Sequence, residues 1–402
     1  MLLVIAVYSM HSYRIANRPM SSIHSYLLSN RYAMLDDLES LARAESPSDQ
    51  KPAVDECGKV LQQLFEQRIG VTATHFHQTN AGDHLRFSFG ESDRQILILG
   101  HFDTVWDIGS LPYRVEGDKA FGPGVFDMKA GIIQALWAMR AICELGFPLN
   151  RKIVFLLTTD EEIGSITSRP IIEEEASKSE AVFVVEPPVA GSNALKTARK
   201  GVGHFAIRIR GKAAHAGNNP EEGISAVQEM AHQILLLDSL AEHSLGTTVN
   251  IGRALGGTRS NVIAAEAELQ VDVRVTTTRE AHRIASAIQG LAPVLKGASI
   301  VTEGGFVRPP MERSEAIGNL FRLASECGAT LGLTLTEAAV GGGSDGNFTA
   351  ALGVPTLDGL GAVGEGLHAE NEQIAIDQLP LRAALLGELI LRVAAESWLP
   401  RQ

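Results

Sequence analysis

Three apolar segments of the chain have the pattern of buried β-strands, and each is followed by acidic or imidazole side chains. They span residues 95–100, 152–157 and 181–185. An uninterrupted run of Val, Ile, Leu and Phe is typical of a strand covered on both faces, as in a parallel sheet. Ligands of open α/β sheets bind at the carboxyl edge, where these polar side chains follow. The pattern therefore predicts an α/β domain with a mostly parallel central sheet and a site at that edge.

Apolar side chains at helical spacing predict helices beside this sheet. We expect helices over residues 23–44, 57–68 and 132–145. The third has little polar surface, so we expect it to be mostly buried and to end at Gly146.

Two later segments, 204–210 and 268–275, alternate strictly between polar and apolar residues. Alternation indicates strands with one solvent-exposed face and one buried face, which is typical of an antiparallel sheet. Helical spacing predicts one helix that begins at Pro220 and a second over 281–291. These elements predict a second, smaller α/β sandwich.

The change of pattern divides the chain into domains. We expect the first domain to comprise residues 23–199 and 308–402, with the sandwich of residues 200–307 inserted into it. Residues 1–22 begin with a short apolar run that has no basic residue ahead of it and no clear cleavage site. We interpret them as a disordered leader, with a secretory signal as the alternative.

Composition limits the partners and the compartment. The net charge of -12 over 402 residues argues against nucleic acid or an anionic membrane as a partner. The three cysteines are widely spaced and odd in number, which favours a reducing compartment and hence a cytoplasmic protein.

The polar residues after the strands are candidates for metal chemistry. His101 and Asp103 are two residues apart, so on extended chain both point the same way and Asp103 can orient the imidazole. A loop histidine paired with an acid is the alternative. Asp127 precedes the buried helix and could instead be its N-cap. Among residues 160–162 one acid could bind a metal while its neighbour faces a substrate.

Other candidates are weaker when taken singly. Glu186 precedes two prolines and has no evident capping role, and His368 on its own could be any loop histidine. The glycine-rich segment 341–346, with Gly342 near its centre, could bind a carboxylate through backbone N–H groups or could be a flexible turn.

Four sequence blocks together resemble the signature blocks of the dinuclear zinc aminoacylase and carboxypeptidase family, and its glutamate carboxypeptidases in particular. The blocks are residues 101–105, 122–131, 159–165 and 186–187. The resemblance implies a zinc-peptidase catalytic domain with an inserted dimerisation domain, a homodimer, and two Zn²⁺ ions per subunit. Carboxylate and imidazole ligands also suit Mn²⁺ or Co²⁺.

The resemblance also implies a role for each candidate. It makes Asp127 the bridge between two ions, with His101 and Glu186 on one ion and Glu162 and His368 on the other. Glu161 would be the general base, Asp103 would be the partner of His101, and the bond from Asp127 to Met128 would be cis.

Further positions resemble the family's substrate site. They are His215, Asn261, Arg308 and Arg274. Gly342 is a further substrate-binding candidate, which rests on its glycine-rich segment alone. His215 would reach the partner subunit's site, and Arg308 would bind the substrate's terminal carboxylate. The alternatives are a surface charge for Arg308 and a place on the wet face of its strand for Arg274.

The expected reaction is metal-dependent hydrolysis of an amide bond adjacent to a free carboxylate. The substrate would be a small peptide or an N-acyl amino acid, and the product a C-terminal amino acid such as glutamate. An N-acyl-amino-acid deacylase or a dipeptidase with the same mechanism is the first alternative. A non-catalytic dimer that binds metal is the second.

Overall fold

The computed structural model describes residues 21–395, which form two compact units. The first contains residues up to 197 together with 314–338 and those from 352 onward. The second contains 198–313 and 339–351. The glycine-rich segment thus belongs to the second unit, whereas the domain boundaries predicted from the sequence put it in the first domain. Most of the predicted leader lies outside the described residues.

Among the described residues, the first unit contains seven α-helices and ten strands, and the strands form the central sheet and a smaller second sheet. Its α-helices are α1 (Ser21–Ser29), α2 (Arg31–Arg43), α3 (Lys51–Ile69), α4 (Ala130–Glu144), α5 (Arg169–Ser177), α8 (Glu315–Thr330) and α10 (Leu379–Ala395). Its strands are β1 (Thr74–Phe76), β2 (His84–Phe89), β3 (Gln95–His101), β4 (Arg114–Glu116), β5 (Lys119–Phe121), β6 (Lys152–Thr158), β7 (Ser179–Val184), β14 (Thr356–Leu357), β15 (Gly364–Glu365) and β16 (Gln373–Ala375).

The central sheet has the strand order β1-β2-β6-β3-β7-β14. β6, β3, β7 and β14 run parallel, whereas β1 and β2 join one edge in antiparallel fashion. All residues of β3 are buried, as are those of β6 after Lys152, which confirms strands covered on both faces. The four-stranded second sheet has the order β15-β16-β5-β4.

Helices α4 and α10 pack against each other, α4 also contacts β3, and both helices are buried over most of their lengths. The predicted single helix over 23–44 is wrong, since α1 and α2 are separated at Asn30. The Asn30 side chain donates to the Tyr26 carbonyl at 2.8 Å, and such local bonds compete with helix propagation. No helix among the described residues is long and apolar enough to cross a membrane.

The second unit contains one four-stranded antiparallel sheet. Its strands are β9 (Gly201–Arg210), β10 (Thr248–Gly256), β11 (Glu266–Val275) and β12 (Ser299–Arg308), in the order β10-β11-β9-β12. Its helices are α6 (Ala226–Asp238), α7 (Thr278–Gln289) and α9 (Gly346–Ala351). Burial alternates along β9 and β11, which confirms one wet face and one face covered by helices. Two linking strands, β8 (Leu195–Arg199) and β13 (Glu337–Val340), pair separately.

The helix predicted to begin at Pro220 begins later. Residues Pro220–Glu222 form a short 3-10 turn, and the chain is then extended at Gly223. Ser225 is the N-cap of α6, because its hydroxyl accepts a hydrogen bond from the Gln228 N–H at 3.1 Å. Proline was therefore a misleading start signal here, and the serine five residues later is the actual cap.

Candidate metal centre

The predicted ligands lie where neighbouring strands of the central sheet end. β3 and β6 run in register, with His101 opposite Thr158 at their last pairing. The acids at 160–162 follow β6, and Glu186 follows the neighbouring strand β7. Parallel strands end at the same edge, so residues distant in sequence converge there.

Asp127 and His368 reach this edge on loops that extend from the second sheet. After β5, Gly124 has a φ of 72°, and a Cβ atom there would lie 2.6 Å from Thr104 Cγ2. This turn therefore requires glycine. β15 and β16 pair at the two ends of the His368 loop. The peptide bond from Asp127 to Met128 is cis, as expected.

His101 is buried among three carboxylates. Its Nε2 lies 3.3 Å from Asp127 Oδ1 and 3.6 Å from Glu186 Oε1. Its Nδ1 lies 3.1 Å from the backbone carbonyl oxygen of Asp103 and 3.3 Å from Asp103 Oδ1. Asp103 is thus placed to fix the orientation of the ring, while the other ring nitrogen faces two candidate ligands.

His368 approaches the second oxygen of Asp127. Its Nε2 lies 3.1 Å from Asp127 Oδ2 and 3.2 Å from Glu162 Oε2. The two oxygens of one carboxylate therefore face two different imidazoles. A carboxylate in this position can bridge two cations.

The donor set fits divalent metal ions. Two overlapping groups have ligand atoms that all lie within 4.8 Å of one another, namely His101 with Glu161 and Glu186, and His101 with Asp127 and Glu162. Imidazole and carboxylate suit Zn²⁺ and also Mn²⁺ or Co²⁺. Glu161 belongs to the first group, so its carboxylate lies close to the predicted ligands His101 and Glu186.

The charges of the cluster shift the pKa values of its members. Hydrogen bonds to Asp127 and Glu162 raise the pKa of His368 to about 10, although burial lowers it. Burial also lowers the pKa of His101, but hydrogen bonds to its surrounding carboxylates raise it well above the usual value. Burial raises the pKa of Asp127, but hydrogen bonds to the imidazoles of His101 and His368 lower it by more, so its pKa lies below the usual value. Metal ions compete with protons for these nitrogens, so metal binding would release protons.

Two of the acids organise the loops around the cluster. Asp103 Oδ2 accepts hydrogen bonds from Ser48 Oγ at 2.8 Å and from the Glu162 N–H at 3.2 Å. Asp160 Oδ2 accepts bonds from the Thr167 N–H at 2.7 Å and from the Thr167 hydroxyl at 2.8 Å. Asp160 therefore shapes the loop after β6, a role that the sequence left open.

Glu372 is a functional candidate that the sequence analysis missed. Its side chain is buried, and its carboxylate accepts hydrogen bonds from the N–H groups of Phe126 and Asp127. The available signal was an acid four residues after His368 in the same loop. In a sequence, however, such an acid cannot be distinguished from a solvated one.

Arg308, in the second unit, has an internal partner. Its Nη1 donates to Asp345 Oδ1 at 2.8 Å, and its Cζ lies 5.1 Å from the centre of the Phe348 ring. Because Arg308 is only 6% exposed, the alternative of a surface charge is wrong. The ion pair with Asp345 was not predicted.

Two other predicted substrate residues of this unit also have internal partners. The carbonyl groups of Gly342 and Gly343 each accept a hydrogen bond from Arg199 Nη1 at 3.1 Å. Arg274 forms two bonds to Asp272, at 2.9 and 3.0 Å. This ion pair favours the alternative in which Arg274 belongs to the wet face of β11.

The structure brings His215 and Asn261 together. The Asn261 carbonyl accepts a hydrogen bond from the Ala216 N–H at 3.0 Å. His215 Nδ1 accepts a bond from the Gly217 N–H at 3.1 Å, which leaves Nε2 to carry the proton of the neutral ring.

Two known proteins are similar to this chain in sequence. Carboxypeptidase G2 of Pseudomonas sp. (strain RS-16) is 31% identical over 379 residues, which cover 90% of each chain. Succinyl-diaminopimelate desuccinylase of Thioalkalivibrio sulfidiphilus is 24% identical and covers 83% of this chain and 94% of its own.

Solved structures share the fold at lower identity. The aminopeptidase PepT of Bacillus cereus has a TM-score of 0.77 at 23% identity and covers 91% of this chain and 99% of its own. A protein of Bacillus subtilis described as a dinuclear metal-binding peptidase of the M20 family has a TM-score of 0.67 at 18% identity, and covers 93% and 99%. The model of peptidase family M20/M25/M40 matches residues 97–392. The chain therefore belongs to this family and is a metallopeptidase.

Proposed function

We propose that this protein is a dinuclear zinc peptidase that hydrolyses the amide bond next to a free carboxylate and releases a C-terminal amino acid such as glutamate. The observation that carries the proposal is the position of Asp127, whose two oxygens lie 3.3 Å from His101 Nε2 and 3.1 Å from His368 Nε2. The similarity to carboxypeptidase G2 supports the type of bond and the position of the carboxylate.

Five side chains would hold the two ions. We assign Asp127 to both ions, His101 and Glu186 to one, and Glu162 and His368 to the other. Zinc suits this set of nitrogen and oxygen ligands, and Mn²⁺ or Co²⁺ would fit the same donors. When bound, the ions supply Lewis-acid activation of water and of the scissile carbonyl group.

Glu161 is the proposed general base. It removes a proton from the attacking water as the new C–O bond forms, and it returns a proton to the leaving amine as the C–N bond breaks. Asp103 supports the reaction indirectly, because it fixes the ring of His101.

The substrate contacts are proposed from the resemblance and, for Gly342, from the backbone N–H groups of the glycine-rich segment. Arg308 would bind the substrate carboxylate, and its ion pair with Asp345 would hold the planar guanidinium in one orientation. The backbone of Gly342 and the side chain of Asn261 would contact the remaining polar groups, and His215 of the partner subunit would stabilise the oxyanion.

The second unit has a surface suited to a second copy of the chain. β10 is an edge strand of its sheet, and its Leu255 is 50% exposed. On α6, Leu235 is 70% exposed and Leu236 is 44% exposed. Exposed edges with apolar side chains are typical of interaction surfaces. We therefore propose a homodimer, which a Leu235→Lys variant should weaken in sedimentation experiments. Undisturbed dimerisation of a Leu235→Lys, Leu255→Lys variant would argue against this surface.

A cytoplasmic location is part of the proposal. Cys57, Cys143 and Cys327 are all free thiols, which suits a reducing compartment.

An N-acyl-amino-acid deacylase or dipeptidase is the second candidate. The similarity to a desuccinylase, an enzyme named for the removal of an acyl group, supports this alternative. The catalytic cluster would be the same, and only the groups that contact the substrate would differ.

A substrate panel separates these activities. The protein loaded with Zn²⁺ would be incubated with folyl-glutamate, N-acetyl amino acids and dipeptides, and the products would be identified by mass spectrometry. Release of glutamate from folyl-glutamate supports the first proposal, whereas cleavage restricted to acetyl amino acids or dipeptides supports the second.

A Glu161→Gln variant tests the mechanism. We expect turnover to fall by at least about 100-fold, because general-base catalysis typically contributes that much or more. Metal content should stay near the wild-type value. The exposed Glu365 provides a matched control for the same substitution. A Glu161→Gln enzyme that retains most of its activity would exclude Glu161 as the base.

A further inference from the structure

Glu372 connects three loops that carry or flank the proposed ligands. It is 1% exposed and lies four residues after His368. Its carboxylate accepts hydrogen bonds from the loop of Asp127 and from the indole of Trp106, three residues after Asp103. One buried side chain thus joins segments that are 245 or more residues apart in sequence.

Each oxygen of this carboxylate accepts two hydrogen bonds. Oε1 accepts from the Phe126 N–H at 2.8 Å and from the Asp127 N–H at 3.1 Å. Oε2 accepts from Trp106 Nε1 at 2.5 Å and from the Gly124 N–H at 3.2 Å. All four groups are donors, so only a group that accepts at both ends satisfies them. A carboxylate meets this requirement, whereas an amide does not.

We propose that Glu372 is a positioning residue that holds the Asp127 backbone, and with it the bridging carboxylate, in the geometry that binds both metal ions. The inference rests on the role proposed for Asp127. Without Glu372 the three N–H groups of the Asp127 loop would lose a buried acceptor, and the loop would rearrange to reach water or other partners. The carboxylate of Asp127 would then no longer face both imidazoles.

The test replaces one carboxylate oxygen of Glu372 by an –NH₂ group. In Glu372→Gln, the –NH₂ end cannot accept, so two of the four donors lose their partner. We expect metal affinity to fall by about 10- to 100-fold, as is typical when a residue that supports a metal ligand is removed. Hydrogen exchange of the amides at 124–127 in the metal-free protein should become faster. Glu370→Gln is the matched control, because Glu370 is exposed in the same loop.

Metal titration and hydrogen exchange need no substrate, so the test remains valid if the hydrolytic proposal fails. Wild-type metal affinity in folded Glu372→Gln would overturn the inference. If that variant does not fold, Glu372→Asp provides the answer, because it keeps a carboxylate but shortens the side chain by one methylene and so draws the acceptor away from the N–H groups of Gly124, Phe126 and Asp127. A severalfold loss of metal affinity in Glu372→Asp would support the inference, and unchanged affinity would refute it.

Discussion

Gly131 offers a sharp test of how closely the fold positions the metal cluster. It lies in the first turn of α4, against the backbone of Val185, which precedes Glu186. A Cβ atom at Gly131 would lie 2.0 Å from the Val185 carbonyl oxygen, whereas unstrained contacts require roughly 3.5 Å. Alanine at this position would therefore force a relative displacement on the order of 1 Å. Displacements of this size can cost about 100-fold in rate.

We expect Gly131→Ala to lower kcat/KM by about 100-fold and to destabilise the protein by about 1–3 kcal/mol, as overpacking does. Gly387→Ala is the matched control. Gly387 also lies in a helix, and its added Cβ would be 3.4 Å or more from its neighbours. Alanine there should stabilise the helix by about 0.5–1 kcal/mol and leave activity unchanged. Steady-state kinetics, metal titration and thermal unfolding would measure these effects. A folded Gly131→Ala enzyme with wild-type kinetics would refute the reasoning.

Two further predictions concern charge. Burial raises the pKa of Glu388 from 4.5 to about 7. Ionisation of this side chain therefore lowers the free energy of unfolding as pH rises between these two values. Glu388→Gln should therefore raise the free energy of unfolding at pH 8 by up to about 3 kcal/mol and leave it unchanged at pH 4, as denaturant titrations would show. An equal effect at both pH values would contradict this. Gly343→Ala would place a Cβ 2.8 Å from Arg308 Cδ, whereas Gly341 has open space around it. KM should rise about tenfold in Gly343→Ala, since the bond from Arg308 to the substrate carboxylate is weakened, and should stay at the wild-type value in the control Gly341→Ala. Equal KM values in Gly343→Ala and Gly341→Ala would show that Arg308 does not bind the substrate.

Local patterns were sufficient to predict the central sheet of the first unit and the antiparallel sheet of the second unit. The uniform apolar run at 152–157 and the alternation at 204–210 each reflect burial on two faces or on one, and burial follows directly from side-chain type. The ends of the apolar runs also located His101 and Glu186, because strand ends at one edge of a sheet converge.

Residues whose roles depend on distant partners were harder to predict. Glu372 accepts bonds from backbone groups about 245 residues away, and no local pattern identifies those donors. The pairing of Arg308 with Asp345 likewise depends on how β12 and the glycine-rich segment fold together. Helix boundaries failed for a different reason. At Asn30 and Ser225, side-chain hydrogen bonds to the backbone determined where helices ended or began.

The stoichiometry of metal binding tests the central claim most directly. Calorimetric titration of the metal-free protein with Zn²⁺, with elemental analysis of the product, would count the ions per chain. We predict two ions for the wild type, and for Asp127→Ala a loss of affinity of at least about 100-fold at both positions, because that substitution removes the shared ligand. A single ion in the wild type, or two ions bound with unchanged affinity by Asp127→Ala, would contradict the account.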